Sequence, residues 1–436
     1  MGKADHGIWG IQRKTKDPKC STAACTVREA LANLAENLNE EDDRAVIPLG
    51  HGDPSIFPCF RTPLVAEEAI VNAVRSGEHN GYTCNLGLPS ARSAVAEYLS
   101  RELPDKLSSD DVFITLGCLQ AIEVIISALD RSGANVLFPR PGFSYYDVRA
   151  KLCGLDARYY DLLPEKNWEI DLDGLEGIVD ENTVAMVVIN PGNPCGSVYT
   201  YRHLQKLAAT ARKRGMIIIA DETYAHITFG ETPFVPMAVF RSTVPVITLG
   251  SLSKRWAVPG WRLGWLAVHD NDGVLTDSGL VACIKKILRV VSDPPTFIQA
   301  AVAEIIEKTK DDYFARSKSV LRQTSEICYD ELKGIFCLSC YGRPQGSMFI
   351  MVRIDVDMLE GVEDDSEFCM KLAKEESVIV LPGSVMGMKN WIRLTFGVNP
   401  SILQEGLKRI RSFCDNHRNH YFRGSPFPQA DNNGHS

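Results

Sequence analysis

Apolar and polar residues alternate along the chain with two different periods, and each period predicts a type of secondary structure. Residues 65–76 carry apolar side chains at helical spacing and are followed by Gly77, which is typical of a helix end. Residues 112–116 form a short apolar run that predicts a buried strand, and after Gly117 a helical stretch begins near Leu119. The pattern therefore predicts a strand, a turn and a helix in this order.

The same alternation continues through the middle of the chain. Further short apolar runs bounded by turn residues lie at residues 135–138, 183–189, 216–220 and 246–249. Because helical segments separate several of these runs, we expect an α/β fold with a mostly parallel, doubly wound sheet. Ligands of such open sheets bind at the carboxyl ends of the strands, so the residues directly after the runs are the first candidates for a functional site.

The pattern changes from about residue 311 onwards. Two helices and two strands are predicted there, at residues 311–332, 347–354, 367–376 and 392–396. This mixture predicts a smaller α+β domain, and the segment before about residue 75 is its expected partner. We therefore predict a small domain from residues 26–75 and 311–417, and a large domain from residues 76–310.

Composition limits the class of protein further. The chain has 436 residues, of which 45% are hydrophobic, so it can bury more than one core. Its 47 Lys and Arg against 55 Asp and Glu give a net charge of -8 without a basic block, which argues against nucleic acid as a partner. No apolar run reaches the length of a membrane span and the start lacks the pattern of a secretory signal, so we expect no membrane partner and a cytoplasmic location. The polar ends, residues 1–25 and 418–436, are expected to be flexible.

The 13 cysteines mostly occur singly within apolar segments. Their spacing predicts neither a disulfide framework nor a zinc site, and we expect reduced thiols and no bound metal. Cys337 and Cys340 form a Cys-x-x-Cys sequence without a second pair, which we interpret as incidental.

Residues 251–262, with the sequence Ser-Leu-Ser-Lys-Arg-Trp-Ala-Val-Pro-Gly-Trp-Arg, carry the strongest chemical signal. A lysine that forms a Schiff base with an aldehyde cofactor needs neighbours that hold the cofactor by its phosphate. Around Lys254, the hydroxyls of Ser251 and Ser253 and the guanidinium of Arg262 could provide this hold. An isolated Ser-x-Ser-Lys is more often part of a surface loop, so the interpretation depends on partners elsewhere in the chain.

Candidate partners follow two of the apolar runs. Asp221 comes directly after residues 216–220, where a carboxylate would keep a pyridine nitrogen protonated, although a helix N-cap is the simpler alternative. Tyr224 and Asn193 can donate hydrogen bonds to a ring oxygen, but Asn-Pro-Gly at residues 190–192 is by itself only a turn signal.

Three further positions have both a functional and a structural interpretation. Gly117 and Cys118 open a helix after a strand, where free N–H groups form an anion site, but such a turn is common in doubly wound sheets. Phe143 can stack on a cofactor ring or simply pack in the core. Arg393 lies in an apolar strand, where its charge needs either a substrate carboxylate or a structural ion pair.

Taken together, these segments resemble the fold-type I, pyridoxal-phosphate-dependent aminotransferases, and within them the tyrosine aminotransferase-like group, especially its plant branch. The resemblance extends from about residue 46 to residue 417 and rests on specific motifs in the same order. They lie at residues 50–54 (Gly-His-Gly-Asp-Pro), 80–82 (Asn-Gly-Tyr), 115–122, 139–143 (Pro-Arg-Pro-Gly-Phe), 161–166, 190–196, 220–224 (Ala-Asp-Glu-Thr-Tyr), 251–262 and 391–393 (Trp-Ile-Arg).

The resemblance implies a role for each candidate toward the cofactor, pyridoxal 5'-phosphate. Lys254 would be the Schiff-base lysine and the proton carrier, and Asp221 would pair with the pyridine nitrogen. Asn193 and Tyr224 would bind the ring oxygen, and Phe143 would stack on the ring. The cofactor phosphate would be held by Ser251, Ser253, Arg262 and the amides of Gly117 and Cys118.

It also implies how the substrate and a second subunit are bound. Arg393 would bind the substrate carboxylate, with Asn193 beside it, and Gly52 would leave room for the substrate. Tyr82 resembles the tyrosine that reaches the phosphate of the neighbouring subunit, which implies a homodimer with shared active sites. The segment at residues 20–39, helical by pattern, is a candidate lid over the substrate.

The implied reaction is transamination between L-tyrosine, or a related aromatic amino acid, and the 2-oxo acid 2-oxoglutarate. Plant relatives with similar motifs include a C–S lyase and a nicotianamine aminotransferase, and these residues serve those reactions equally well. A non-catalytic binding protein would be expected to have lost the lysine or the carboxylate, and both Lys254 and Asp221 are present.

Overall fold

The computed structural model describes residues 25–419. Residues 1–24 and 420–436, which we expect to be flexible, lie outside the described residues. The first part of the candidate lid, residues 20–24, also lies outside them. The helices are α1 (Val27–Glu36), α2 (Leu64–Ser76), α3 (Pro89–Ser100), α4 (Gly117–Ala128), α5 (Tyr145–Cys153), α6 (Tyr201–Arg214), α7 (Val274–Asp277), α8 (Leu280–Leu288), α9 (Thr296–Lys308), α10 (Asp311–Lys333), α11 (Asp365–Glu376) and α12 (Pro400–Asn416). The strands are β1 (Ile47–Pro48), β2 (Val112–Thr115), β3 (Asn135–Arg140), β4 (Asp156–Leu163), β5 (Glu169–Ile170), β6 (Thr183–Ile189), β7 (Ile217–Asp221), β8 (Val246–Ser251), β9 (Gly264–His269), β10 (Leu338–Cys340), β11 (Phe349–Ile354), β12 (Val378–Ile379), β13 (Leu381–Pro382) and β14 (Trp391–Thr395).

The large sheet has eight strands in the order β2-β9-β8-β7-β6-β3-β4-β5. The five central strands are parallel to one another, in the order β8-β7-β6-β3-β4. Strand β9 is antiparallel to both β8 and β2, and β5 is antiparallel to β4. Helices pack on both faces, with α4, α5 and α8 on one core and α3 and α9 on another. The predicted α/β fold with a mostly parallel sheet is therefore confirmed.

The local predictions agree closely with the elements. Helix α2 ends before Gly77, whose φ of 69° is the left-handed conformation that glycine adopts without strain. Strand β6 covers residues 183–189 as predicted. Helix α4 begins at Gly117 rather than near Leu119, which brings the helix N-terminus directly to the end of β2.

The C-terminal part of the chain forms an antiparallel sheet of β10, β11, β14 and β13. Its core includes residues of α1, α10, α11 and α12, whereas Ala66 and Ala69 of α2 pack with α3 and α9. The division into two domains with a boundary near residue 75 stays a prediction. In the part of the chain that the structure describes, no helix has the length and apolar character needed to cross a membrane.

Candidate active site

A cavity of about 530 Å³ lies at the carboxyl ends of β6, β7 and β8. Its volume is in the range of small-molecule sites. The predicted site residues that line it are Gly52, Cys118, Phe143, Asn193, Asp221, Tyr224, Ser251, Ser253, Lys254, Arg262 and Arg393. Residues separated by more than three hundred positions in sequence thus meet at one place.

Lys254 follows β8 in a turn and lies half-buried on the cavity wall. Its Nζ donates a hydrogen bond to the carbonyl oxygen of Gly52 and lies 6.0 Å from the ring centroid of Tyr224. Burial of the amine lowers the pKa of Lys254 to about 8, although the negative charge of Asp53 opposes the shift. A substantial share of the amine is therefore neutral near pH 8, as a nucleophile or base requires.

Asp221 is the last residue of β7 and is buried. Its Oδ2 accepts a hydrogen bond of 3.0 Å from the Tyr146 hydroxyl, and its Oδ1 accepts from the backbone N–H of Thr223 at 3.2 Å. The Cys118 thiol also lies 3.8 Å from Oδ1. Burial raises the pKa of Asp221, and the hydrogen bonds from Thr223 and Tyr146 oppose that rise. The alternative of a helix N-cap is wrong, because the chain continues from Asp221 into turns and no helix begins at residues 222–236.

Arg393 on β14 is only 2% exposed. It donates hydrogen bonds to Asn193 Oδ1 at 3.2 Å and to the Gly50 carbonyl at 2.8 Å, and its guanidinium carbon lies 4.3 Å from the ring centroid of Phe349. Burial lowers the pKa of Arg393 to about 10. Within residues 25–419 no carboxylate lies within ion-pair distance of Arg393, and its Nε has no partner there. The structural ion pair considered from the sequence is therefore wrong, and the cation faces the cavity.

Ser251, Ser253 and Arg262 form one side of the cavity together with the N-terminus of α4. The two serines are buried, and the Ser251 hydroxyl finds no hydrogen-bond partner among the described residues. Arg262 donates to the carbonyls of Leu116 and Pro259 at 2.9 and 2.8 Å. Hydroxyls, a guanidinium and free helix N–H groups are the donors that a phosphate requires, so these residues fit the phosphate of the implied cofactor.

Two glycines are required by close contacts in this site. Gly117 has a φ of 70°, and a Cβ atom there would lie 2.3 Å from Nη2 of Arg262. A Cβ on Gly52 would lie 2.8 Å from Cζ of Phe349 and 4.0 Å from Nζ of Lys254. Any side chain at Gly52 would therefore enter the space beside the Lys254 amine. Gly117 does not line the cavity, but the absence of a side chain there lets Arg262 pack against the start of α4.

Of the predicted site residues, Gly117 and Tyr82 do not line the cavity, and only Tyr82 lies apart from it. Its side chain is fully exposed on the described surface of the single chain. This position leaves its predicted role in a second subunit untested.

Sequence reasoning missed several residues that belong to the site. Tyr146 contacts Asp221, Phe349 stacks near Arg393, and Asp53 and Arg28 line the cavity. Asp53 lies beside Gly52 in the Gly-His-Gly-Asp-Pro motif, and this motif is the signal that could have identified it. No local pattern distinguishes Tyr146 from the adjacent Tyr145, since only the packing of α5 against β7 decides which phenol reaches the carboxylate.

Comparisons with known proteins agree with this geometry. The chain matches the family described as aminotransferase class I and II over residues 44–410. Nicotianamine aminotransferase 1 of Oryza sativa subsp. japonica is 50% identical over 412 residues, which are 94% of this chain and 83% of that protein. S-alkyl-thiohydroximate lyase SUR1 of Arabidopsis thaliana is 46% identical over 410 residues, or 94% of this chain and 88% of that protein. The crystal structure of tyrosine aminotransferase from Leishmania infantum has a TM-score of 0.84 and 31% identity, and the match covers 91% of this chain and 99% of that one. The chain therefore belongs to the class I and II aminotransferases, a family of pyridoxal-phosphate-dependent fold-type I enzymes.

Proposed function

We propose that the protein transfers the amino group of L-tyrosine, or of a related aromatic amino acid, to 2-oxoglutarate, giving 4-hydroxyphenylpyruvate and glutamate. The observation that carries the proposal is that the Lys254 amine and the buried Arg393 guanidinium face the same cavity. A cation without a carboxylate partner can bind the α-carboxylate of an amino acid, and a nearby amine can then reach the proton on Cα.

The cofactor would be held by residues of this chain at three places. Its phosphate would lie at Ser251, Ser253, Arg262 and the amides of Gly117 and Cys118. Its ring would be bound by Asp221 at the nitrogen, by Asn193 and Tyr224 at the ring oxygen, and by Phe143 at the ring face. When bound, pyridoxal phosphate withdraws electrons from the substrate Cα and makes its proton acidic. Asp221 supports this withdrawal because a buried carboxylate favours the protonated form of the ring nitrogen.

Lys254 would move the proton. The hydrogen bond to the Gly52 carbonyl fixes the position of Nζ, and the pKa of about 8 lets the amine accept a proton and give it back near neutral pH. Gly52 lacks a side chain, so the space between the amine and Phe349 stays open to the substrate.

The apolar lining of the cavity supports an aromatic substrate. Besides the residues proposed to contact the cofactor ring, Phe349, Ile122 and Ile189 give the cavity wall an apolar surface. Rings pack well against such walls, offset or edge to face. The resemblance to the solved tyrosine aminotransferase points in the same direction.

The second substrate, 2-oxoglutarate, carries two carboxylates. Arg393 would bind the one beside the keto group, and Arg28 at the start of α1 supplies a further cation on the cavity wall. Arg28 is exposed at the rim. Burial lowers the pKa of the half-buried Arg262, and the like charge of Arg28 lowers it further. We infer that Arg28 attracts the distal carboxylate.

The plant relatives favour two alternative reactions of the same site. Nicotianamine aminotransferase 1 is 50% identical to this chain, and the S-alkyl-thiohydroximate lyase is 46% identical. Both alternatives need the same lysine, carboxylate and cofactor, so they differ from the main proposal in the substrate side chain and not in these residues.

A spectral titration separates the three reactions. We expect L-tyrosine alone to convert the aldehyde form of the bound cofactor to its amine form, and 2-oxoglutarate to reverse the change, with one equivalent of 4-hydroxyphenylpyruvate released. Conversion by nicotianamine but not by tyrosine would favour the second aminotransferase. Release of pyruvate and a thiol from a cysteine conjugate, without conversion of the cofactor, would favour the lyase.

We also propose a cytoplasmic homodimer in which Tyr82 reaches the phosphate site of the partner subunit. Full exposure of this tyrosine on the single chain supports the proposal, because it leaves the side chain accessible to a partner and tyrosine is enriched at protein interfaces. Mixed dimers of Tyr82→Ala and Lys254→Ala chains test it. One site of each mixed dimer would combine Lys254 of one chain with Tyr82 of the other, so activity should reappear on mixing two inactive variants. If verified mixed dimers remain inactive, the two subunits do not share their active sites.

A further inference from the structure

A second, smaller cavity lies behind the strand ends that carry the active site. Successive residues of a strand point to opposite faces of the sheet. Asp221 contacts α4 and α5 on one face, whereas the next residue, Glu222, lines a cavity that is covered by Tyr98 and Leu99 of α3. None of the side chains of the candidate active site described above lines this second cavity.

Three buried polar side chains of this cavity share one property. Thr248 Oγ1, Trp265 Nε1 and both ring nitrogens of His269 have no hydrogen-bond partner among residues 25–419. The three residues are 1%, 3% and 2% exposed. Buried polar groups without a partner are rare and usually bind ordered water or an ion.

The strand register explains why these groups face one space. Strands β8 and β9 are antiparallel, and their paired residues are Thr248 with Ala267, Gly250 with Trp265, and Val246 with His269. Paired residues lie on the same face, and so do residues two apart on one strand. Gly250 leaves room there, because a Cβ on it would lie 2.4 Å from the Trp265 indole nitrogen.

The charges around the cavity decide what it can hold. The carboxylate of Glu102 lines it, and its negative charge would repel an anion. No group of three metal-ligating side chains occurs in the described chain, which argues against a metal ion. The space open to the centres of water molecules is about 30 Å³, enough for about two waters at the usual requirement of roughly 10–15 Å³ each.

We propose that this cavity binds a cluster of about two ordered water molecules, and that Glu222 takes part in it as an uncharged carboxyl group. Glu222 Oε1 accepts a hydrogen bond of 2.7 Å from the backbone N–H of Met237, and no cation lies within ion-pair distance of Glu222 in the described residues. Burial, together with the nearby charges of Glu102 and Asp221, raises the pKa of Glu222 to about 8. The histidines on the cavity do not supply a positive charge, because burial lowers the pKa of His226 and His269 to about 3.

Glu222 directly follows Asp221, and its backbone is fixed by the neighbouring strand β8. The Glu222 N–H donates to the Leu249 carbonyl at 2.9 Å, which ties the end of β7 to β8. The carboxyl proton of Glu222 is free for water, and water can in turn satisfy Thr248, Trp265 and His269.

A crystal structure of the holoenzyme at better than about 1.6 Å tests the binding site directly. We expect solvent peaks within hydrogen-bond distance of Thr248 Oγ1, Trp265 Nε1 and a His269 nitrogen. A cavity without peaks, or a single peak with the coordination and anomalous signal of an ion, would overturn the proposal.

Four variants of the holoenzyme test the same idea by thermal unfolding. Thr248→Val and Glu222→Met should each lower Tm by about 2–4 °C, since each leaves water or a backbone donor unpaired. Glu222→Gln should stay within about 1 °C of the wild type, because an amide keeps both an acceptor and a donor without charge. The matched control is Thr324→Val in α10, whose hydroxyl donates to a carbonyl of its own helix at 2.9 Å, so its loss leaves no orphaned group. A dry cavity would instead give an unchanged or higher Tm for Thr248→Val. A charged Glu222 would make Glu222→Gln clearly more stable than the wild type, because the amide removes a buried charge that has no cation partner.

Discussion

The Tyr146 hydroxyl donates a hydrogen bond of 3.0 Å to Asp221 Oδ2, and both residues are buried between the large sheet and its helices. Tyr146 lies in the first turn of α5, whereas Asp221 ends β7. Burial raises the pKa of Asp221, and this hydrogen bond favours the ionised form. Tyr146 therefore helps to keep the carboxylate charged in a place where burial alone would protonate it.

This relationship predicts the effect of removing one hydroxyl. Tyr146→Phe should lower kcat/KM about tenfold, which corresponds to one buried hydrogen bond to a charged group, and should weaken cofactor binding by a similar factor. Steady-state kinetics and titration of the apoprotein with cofactor measure both. The adjacent Tyr145→Phe is the matched control, because Tyr145 makes no hydrogen bond to Asp221 among the described contacts. Equal losses in both variants would show that general packing, and not the bond to Asp221, is responsible.

Removal of the proposed base should be far more severe. Lys254→Ala should reduce kcat by at least about 100-fold, the lower end of the range for general acid–base catalysis. Borohydride should fix the cofactor covalently to a peptide containing Lys254 in the wild type and should fix none in the variant. Lys308→Ala on α9, an exposed lysine paired with Glu304, is the control and should keep both activity and labelling. Labelling of the Lys254→Ala chain at another lysine would reject Lys254 as the cofactor lysine.

The same amine gives the apoprotein a characteristic pH dependence. The pKa of Lys254 is about 8 in the folded chain and 10.5 in its ordinary state, so the unfolded chain binds more protons between these two values. The free energy of unfolding should therefore rise with pH across this interval, because the cost of burying the charged amine disappears. Lys254→Met should be more stable than the wild-type apoprotein at pH 7 by on the order of 3 kcal/mol, and the difference should vanish by about pH 10.5. Denaturant unfolding of both proteins at several pH values measures it, and a difference independent of pH would contradict the lowered pKa.

The sequence predicted those parts of the site that depend on local order. Asp221 directly follows one apolar run and Lys254 comes shortly after another, and the end of a strand is where a doubly wound sheet presents its ligands. Gly117 was predictable for the same reason, since the helix that follows β2 must begin at its end. The position of these residues at strand and helix ends follows from secondary structure that the local sequence predicts.

The remaining parts depend on contacts between distant segments. Arg393 forms no structural ion pair within the described chain, and its partners there are the Asn193 amide and the Gly50 carbonyl. Those contacts arise because β14 pairs with β11 and brings Arg393 opposite Met351, a register that no local pattern specifies. Tyr146 was missed for a related reason, because the rotation of α5 about its axis decides which side chain points at β7.

At position 393, replacing arginine by lysine should have a large effect even though both side chains are cations. Arg393→Lys keeps the charge but loses the planar fork that binds a carboxylate with two hydrogen bonds. We expect KM for the amino acid to rise by about 10–100-fold with a smaller change in kcat, since the α-carboxylate is bound in the ground state as well as in the transition state. Arg353→Lys on the adjacent strand β11 is the control, because its side chain points to solvent. A fall in kcat alone, at unchanged KM, would argue against a role in carboxylate binding.

Arg28 provides the test of how one cavity accepts both an aromatic and a dicarboxylic substrate. The apolar walls can bind a ring without any charge, whereas the distal carboxylate of 2-oxoglutarate gains from a cation at the rim. Arg28→Gln should therefore raise KM for 2-oxoglutarate by about 3–10-fold, as expected for one exposed ion pair, and leave KM for L-tyrosine within about twofold. Salt should mimic the variant, because the wild-type preference should weaken between about 0.05 and 0.5 M ionic strength while that of the variant stays constant. Arg61→Gln, an exposed arginine that does not line the cavity, is the matched control. If Arg28→Gln affects tyrosine and 2-oxoglutarate equally, the arginine supports α1 or the cofactor site and does not recognise the second carboxylate.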